Sequence, residues 1–263
     1  MTRILLASPM VLALSIGACG SSDDSTASPD LVVGSATAGD LTVTLRSTAA
    51  LTTGLTPIYI ALGDSAGNAV TDATLTIMPH MVGEMSHGAP VLTQPQLDEN
   101  SLYRAEVVFE MASSDMDSWA ATVGITRPDA DAVEAEVASL VVTDSGRAKV
   151  FTYTDPATTT TTEYVVSLNL DAEPTVGLND VTVTLHRMDS MMDFSPVDDA
   201  GLTLTPEMPA MGHGSPGSVA PTLVSPGRYA GRLSFSMAGA WETTLGITVE
   251  DVVIGSPVFA TSF

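Results

Sequence analysis

One loop-forming segment that occurs twice constrains this chain more than any other feature. Met78-Pro79-His80-Met81-Val82-Gly83-Glu84-Met85-Ser86-His87-Gly88 returns as Thr205-Pro206-Glu207-Met208-Pro209-Ala210-Met211-Gly212-His213-Gly214. A short β-like run precedes each copy, Leu75-Thr76-Ile77 and Leu202-Thr203-Leu204. Phe109-Glu110-Met111 or Phe235-Ser236-Met237 follows, and then a Trp, in Trp119-Ala120-Ala121-Thr122-Val123-Gly124-Ile125-Thr126 and Trp241-Glu242-Thr243-Thr244-Leu245-Gly246-Ile247-Thr248. Gly54 to Leu62 aligns with Gly177 to Leu185 without a gap. A repeat of this extent predicts two copies of one domain, each with a Met/His loop.

The runs between the turns alternate apolar and polar residues, as half-buried strands do. Leu41-Thr42-Val43-Thr44-Leu45, Ile58-Tyr59-Ile60-Ala61-Leu62 and Tyr164-Val165-Val166-Ser167-Leu168-Asn169-Leu170 are examples, and Gly63 to Asn68 is a turn cluster. Short strands at this spacing predict an all-β chain of two tandem immunoglobulin-like antiparallel sandwiches. The expected divisions are a lipoprotein signal peptide over 1–18, a flexible tether over 19–37, a first sandwich over 38–145 and a second over 146–263. The short junction from Asp144 to Ala148 predicts restricted motion between the two.

Met1-Thr2-Arg3 followed by the apolar run Ile4 to Ala18 has the length of an export signal and is short for a membrane span. Its end, Leu14-Ser15-Ile16-Gly17-Ala18-Cys19, resembles a bacterial lipobox, which implies cleavage before Cys19 and lipid attachment there. Cleavage leaves 8 basic against 31 acidic residues, a net charge of −23. That surface disfavours nucleic acid and attracts cations. Cys19 is the only cysteine, so neither a disulfide nor a thiolate metal site is available. The expected location is the cell envelope, the chain being held to the outer membrane or its periplasmic face in a Gram-negative host.

Three of the four histidines lie in the two loops. In each loop a Met stands two residues before a His, Met85 with His87 and Met211 with His213. If extended, such a pair shares one face with Cα atoms about 6 to 7 Å apart. Thioethers select Cu(I) among common ions, and imidazole binds copper in either oxidation state. Met81 and Met208 offer further sulfur, and Met111 and Met237 offer it from the strand before each Trp. The predicted copper ligands are therefore Met81, Met85, His87, Met111, Met208, Met211, His213 and Met237, with Met78, His80 and His186 as further candidates. The copies differ, since Met78 becomes Thr205 and His80 becomes Glu207, while His186-Arg187-Met188-Asp189-Ser190-Met191-Met192 is far richer in Met than its counterpart turn.

Met208-Pro209-Ala210-Met211-Gly212-His213, Gly227-Arg228-Tyr229, Phe235-Ser236-Met237 and Trp241 together resemble the YtkA-like and FixH-like domains. The first half fits with Ser101-Leu102-Tyr103 in place of Gly-x-Tyr and a longer Met111 to Trp119 segment. The resemblance implies small extracytoplasmic sandwiches concerned in part with copper handling and the supply of copper to oxidases. The expected function is an exported, lipid-anchored copper carrier or buffer. Its partners are copper ions, a protein of the envelope and, through the lipid alone, the membrane. The rival is a structural or protein-interaction lipoprotein whose Met loops are apolar contacts. Enzymatic activity is not expected: Gly63-Asp64-Ser65-Ala66-Gly67 matches the Gly-x-Ser-x-Gly string, but that motif needs a strand-to-helix turn and no helix pattern follows.

Overall fold

The computed structural model describes residues 28–84 and 86–263. The signal peptide, Cys19 and Met85 lie outside these residues. The described chain consists of strands and turns without a helix. The first half holds β1 (Leu31–Ala38), β2 (Leu41–Ser47), β3 (Gly54–Gly63), β4 (Thr74–Val82), β5 (Val91–Leu97), β6 (Tyr103–Phe109), β7 (Ser118–Thr126) and β8 (Val133–Leu140). The second holds β9 (Ala148–Thr154), β10 (Thr161–Leu170), β11 (Gly177–Met188), β12 (Phe194–Pro196), β13 (Gly201–Met208), β14 (His213–Gly214), β15 (Val219–Ser225), β16 (Arg228–Phe235), β17 (Ala240–Val249), β18 (Val252–Gly255) and β19 (Val258–Ser262).

Each half is a pair of antiparallel sheets. The first pairs β1-β2-β3-β6-β5 with β4-β7-β8; the second pairs β9-β10-β11-β16-β15 with β14-β13-β17-β18, β12 adding to β11 and β19 to β17. The strand orders correspond, so the sequence repeat is a repeat of topology. Alternation drives this: in β2 Leu41, Val43 and Leu45 face the core, and in β13 Leu202, Pro206 and Met208 do. Gly54 and Gly177 open equivalent strands at φ of 100° and 107°, a left-handed backbone that favours glycine. The tyrosines of the Gly-x-Tyr positions bridge the sheets alike. Tyr103 Oη accepts from Ala73 N and donates to the Val70 carbonyl, while Tyr229 Oη accepts from Ala200 N and donates to that of Val197.

The tether expectation is corrected over Leu31 to Thr37, which is strand β1 paired with β2. Its Gly, Ser, Ala and Thr residues read as a linker, but Val33 and Ala36 pack against the first core. The Gly-x-Ser-x-Gly string is a polar turn, with Asp64 Oδ1 accepting from Ala66 N and Asn68 N.

The two sandwiches abut through outward faces. Ala105 to Phe109 of β6 is buried without alternation, as is Val165 to Asn169 of β10, because each strand has a core on one side and the other sandwich on the other. Glu106, buried on β6, takes a hydrogen bond from Arg104 and a short one from Arg228 of β16. Leu55 N donates to Asn169 Oδ1, and Gly88 N donates to the Met191 carbonyl at 2.7 Å.

Candidate metal-binding rows

The register of β4 decides which loop residues converge. Ile77, Pro79 and Met81 point inward, whereas Met78, His80 and Val82 point outward. Beyond β4 the chain turns back, so that His80 bridges Gly88 and Met81 N donates to the His87 carbonyl at 2.7 Å. On its other side Met81 is the partner of Trp119. His87, Met81 and Trp119 therefore form one row across three strands at the end of the core. The His87 and Trp119 rings meet edge to face at 5.4 Å.

The second half repeats the row. Met208 pairs with His213, and Trp241 of β17 lies one residue past the last pairing, Glu207 with Glu242. The His213 and Trp241 rings meet at 5.7 Å. Each Trp is fixed by its indole N–H, which donates at 3.0 Å to the Met111 carbonyl or the Met237 carbonyl. The Phe-x-Met motif thus acts through a backbone oxygen and the Phe ring. Met111 is half-buried beside the core, whereas Met237 is exposed.

In both rows the imidazole is oriented the same way. His87 Nδ1 donates to the Gly88 carbonyl at 2.9 Å, and His213 Nδ1 donates to that of Gly214 at 3.1 Å. A carbonyl can only accept, so Nδ1 carries the hydrogen and Nε2 of the neutral ring presents a lone pair. His87 is 4% exposed, and its Nε2 has no hydrogen-bond partner among the described residues. Glu110 Oε1 lies 2.7 Å from Nδ1, so the carboxylate and the Gly88 carbonyl share that edge of the ring. The Glu110 carboxylate raises the pKa of His87, against the opposing effect of burial. Burial in turn raises that of Glu110, against His87, with Glu163 of the second sandwich adding a like charge. Buried polar groups are rarely left without partners, and an imidazole held from its Nδ1 edge by a carbonyl and a carboxylate offers its other nitrogen to a cation.

The sequence-predicted residues divide accordingly. Met81 with His87 and Met208 with His213 are brought together. Met211 is corrected: it lies in a turn, its N–H bonded to the Met208 carbonyl, and at 62% exposure it shares no face with His213. Met78 and His80 are corrected as companions of Met81, because they occupy the opposite face of β4, His80 Nε2 lying 3.7 Å from Glu136 Oε2. His186 is buried apart from both rows, against the backbone of Gly227, and burial lowers its pKa to about 4. Glu110 was missed, and its only sequence signal is that Ser236 stands in its place in the other copy.

The fold and the rows define an all-β protein of two corresponding sandwiches, each with a Met–His–Trp row at one end, buried in the first and half-buried at His213 in the second. Residues 158–246, which contain the second row, match the YtkA-like family. Two solved structures show similarity. The Escherichia coli adhesin FdeC matches at 18% identity and a TM-score of 0.26 over 86% of this chain, which spans 65% of the adhesin chain, less than two thirds of it. Domains 5–6 of the S-layer protein SbsC match at 14% identity and a TM-score of 0.31, with 86% and 98% of the two chains covered. Comparison with curated proteins finds no match.

Proposed function

We propose that the protein is an exported, lipid-anchored copper carrier that takes Cu(I) as cargo in the two rows. The observation that carries this reading is the buried His87 Nε2, without a partner among the described residues, in a row with Met81 and in a ring whose Nδ1 is held by the Gly88 carbonyl and Glu110. Met81 and His87 would hold the ion in the first half, with Glu110 behind Nδ1 orienting the ring, and Met208 and His213 in the second. One thioether and one imidazole suit Cu(I), and the carboxylate behind Nδ1 makes the first-row imidazole the more basic ligand. The second row has Ser236 where the first has Glu110 and its His213 is only half-buried, so it is the softer and more accessible of the two. The YtkA-like match and the signal-like start with Cys19 support export and anchoring, and the strong negative charge supports cation capture.

A titration of the protein with Cu(I) against a competing chelator tests the reading, with His87→Ala and His213→Ala alongside. We expect one equivalent to be lost in each variant, the His87 equivalent being the tighter. Binding no stronger than that of a Met-rich, His-free control would remove the copper reading. The exposed side chains of Met191, Met211 and Met237 would then favour a protein-contact surface instead.

A further inference from the structure

The two departures from the repeat that enrich it in methionine come together in space. Met78 stands where the second copy has Thr205, and the turn after β11 holds Met191 and Met192 where the first copy has the polar turn after β3. Met78, on the outward face of β4, and Met192, from the second sandwich, line one cleft between the halves, of about 480 Å³. Both are large apolar side chains left in solvent, 49% and 39% exposed. The turn is seated there by the Gly88 to Met191 hydrogen bond, and a Cβ on Gly88 would lie 3.3 Å from the Met192 Cα. Glu134, Asp189 and Asp193 line the same cleft.

We infer that this cleft is a third, inter-sandwich site for a soft monovalent cation, held by the thioethers of Met78 and Met192. Thioethers favour Cu(I) over the harder ions that carboxylates alone would collect, while the surrounding carboxylates raise the local cation concentration. This accounts for why Met78 has no counterpart: a methionine at Thr205 would face no second sandwich. Ala89, two residues after His87, lines the cleft, so an ion bound there is poised beside the closed first row. The choice of metal rests on the copper reading above, whereas the site itself rests on the cleft.

The test is a Cu(I) titration of the full chain carrying methyl-¹³C methionine, followed by methyl NMR, with Met78→Thr and Met192→Leu beside it. Met78→Thr installs the residue that the other copy carries at an exposed position, so folding is retained. We expect the Met78 and Met192 signals to shift along one saturation curve, and each substitution to abolish the shift of the other residue. Persistence of the Met192 shift in Met78→Thr overturns the inference. So does a titration in which only Met81 and Met208 move, which leaves the copper carrier intact. Movement of Met78 and Met192 without Met81 or Met208 upholds the cleft and removes the rows. Stillness of every methionine signal removes both.

Discussion

At the scale of single residues, burial gives the histidines different tasks. His87 has its Nδ1 hydrogen fixed by the Gly88 carbonyl and a carboxylate close by. His186 has no such help: it is 4% exposed, its Nδ1 lacks a partner among the described residues, and burial holds its pKa at about 4. Below pH 6.5 the unfolded chain takes up a proton there that the folded chain refuses until about pH 4. The unfolded state therefore binds more protons in this window, and stability falls as the pH drops through it, by about 3 kcal/mol. Urea denaturation of the wild type and of His186→Gln at several pH values checks this. The difference between them should be constant above pH 6.5 and shrink by about that amount toward pH 4. A pH-independent difference would mean that His186 titrates alike in the folded and unfolded chain, so that burial does not lower its pKa.

At the scale of elements, the same turn recurs before β6 and β16 in different surroundings. Ser101 and Gly227 both have a left-handed backbone, at φ of 62° and 66°. A serine there is strained by about 1 kcal/mol, so Ser101→Gly should raise the unfolding free energy by that amount, moving the denaturation midpoint up without changing the slope. Gly227→Ser should cost more, about 2 to 3 kcal/mol, because its Cβ would fall 2.8 Å from His186 Nε2 as well as adopting the strained backbone. A small or equal effect of both would show that the two turns are not constrained alike. Most strands were legible because β2, β3, β4 and β17 alternate cleanly. Edge strands were not. β1 continues from Leu31-Val32-Val33 into Gly34 to Ala38, all short side chains, and β5 and β15 carry Pro95 and Pro221 and pair with register shifts, so they lack a period to read. The rows were legible as residue types but not as partners. Met-x-His spacing pointed to Met211, whereas strand register selected Met208.

At the scale of the whole molecule, what was hidden from the sequence is what the two sandwiches do to each other. Glu106 and Val108 on the outward face of β6, and Glu110 just past its end, are all buried, a pattern no single sandwich explains. Glu106 is the clearest case. Burial alone would raise its pKa, yet Arg104 and then Arg228 of the other sandwich outweigh it, and Thr93 donates at 3.1 Å, so the net shift is downward. Its stabilisation is present above the usual carboxylate pKa and lost as pH falls through the lowered value. Such a group ties the stability of one half to that of the other. Each half contains one tryptophan, Trp119 or Trp241, so single-tryptophan variants made by Trp→Phe report the halves separately. In the wild-type background both should unfold at one midpoint. Glu106→Gln removes the partner of two arginines at once and should lower both midpoints together, at a cost of about 2 to 3 kcal/mol. Arg228→Ala should cost less, since Arg104 and Thr93 still satisfy the carboxylate. If Glu106→Gln moves only the Trp119 midpoint, the sandwiches fold independently. The turn bearing Met191 and Met192 would then be free to leave Gly88, and the cleft between the halves would not persist as a site.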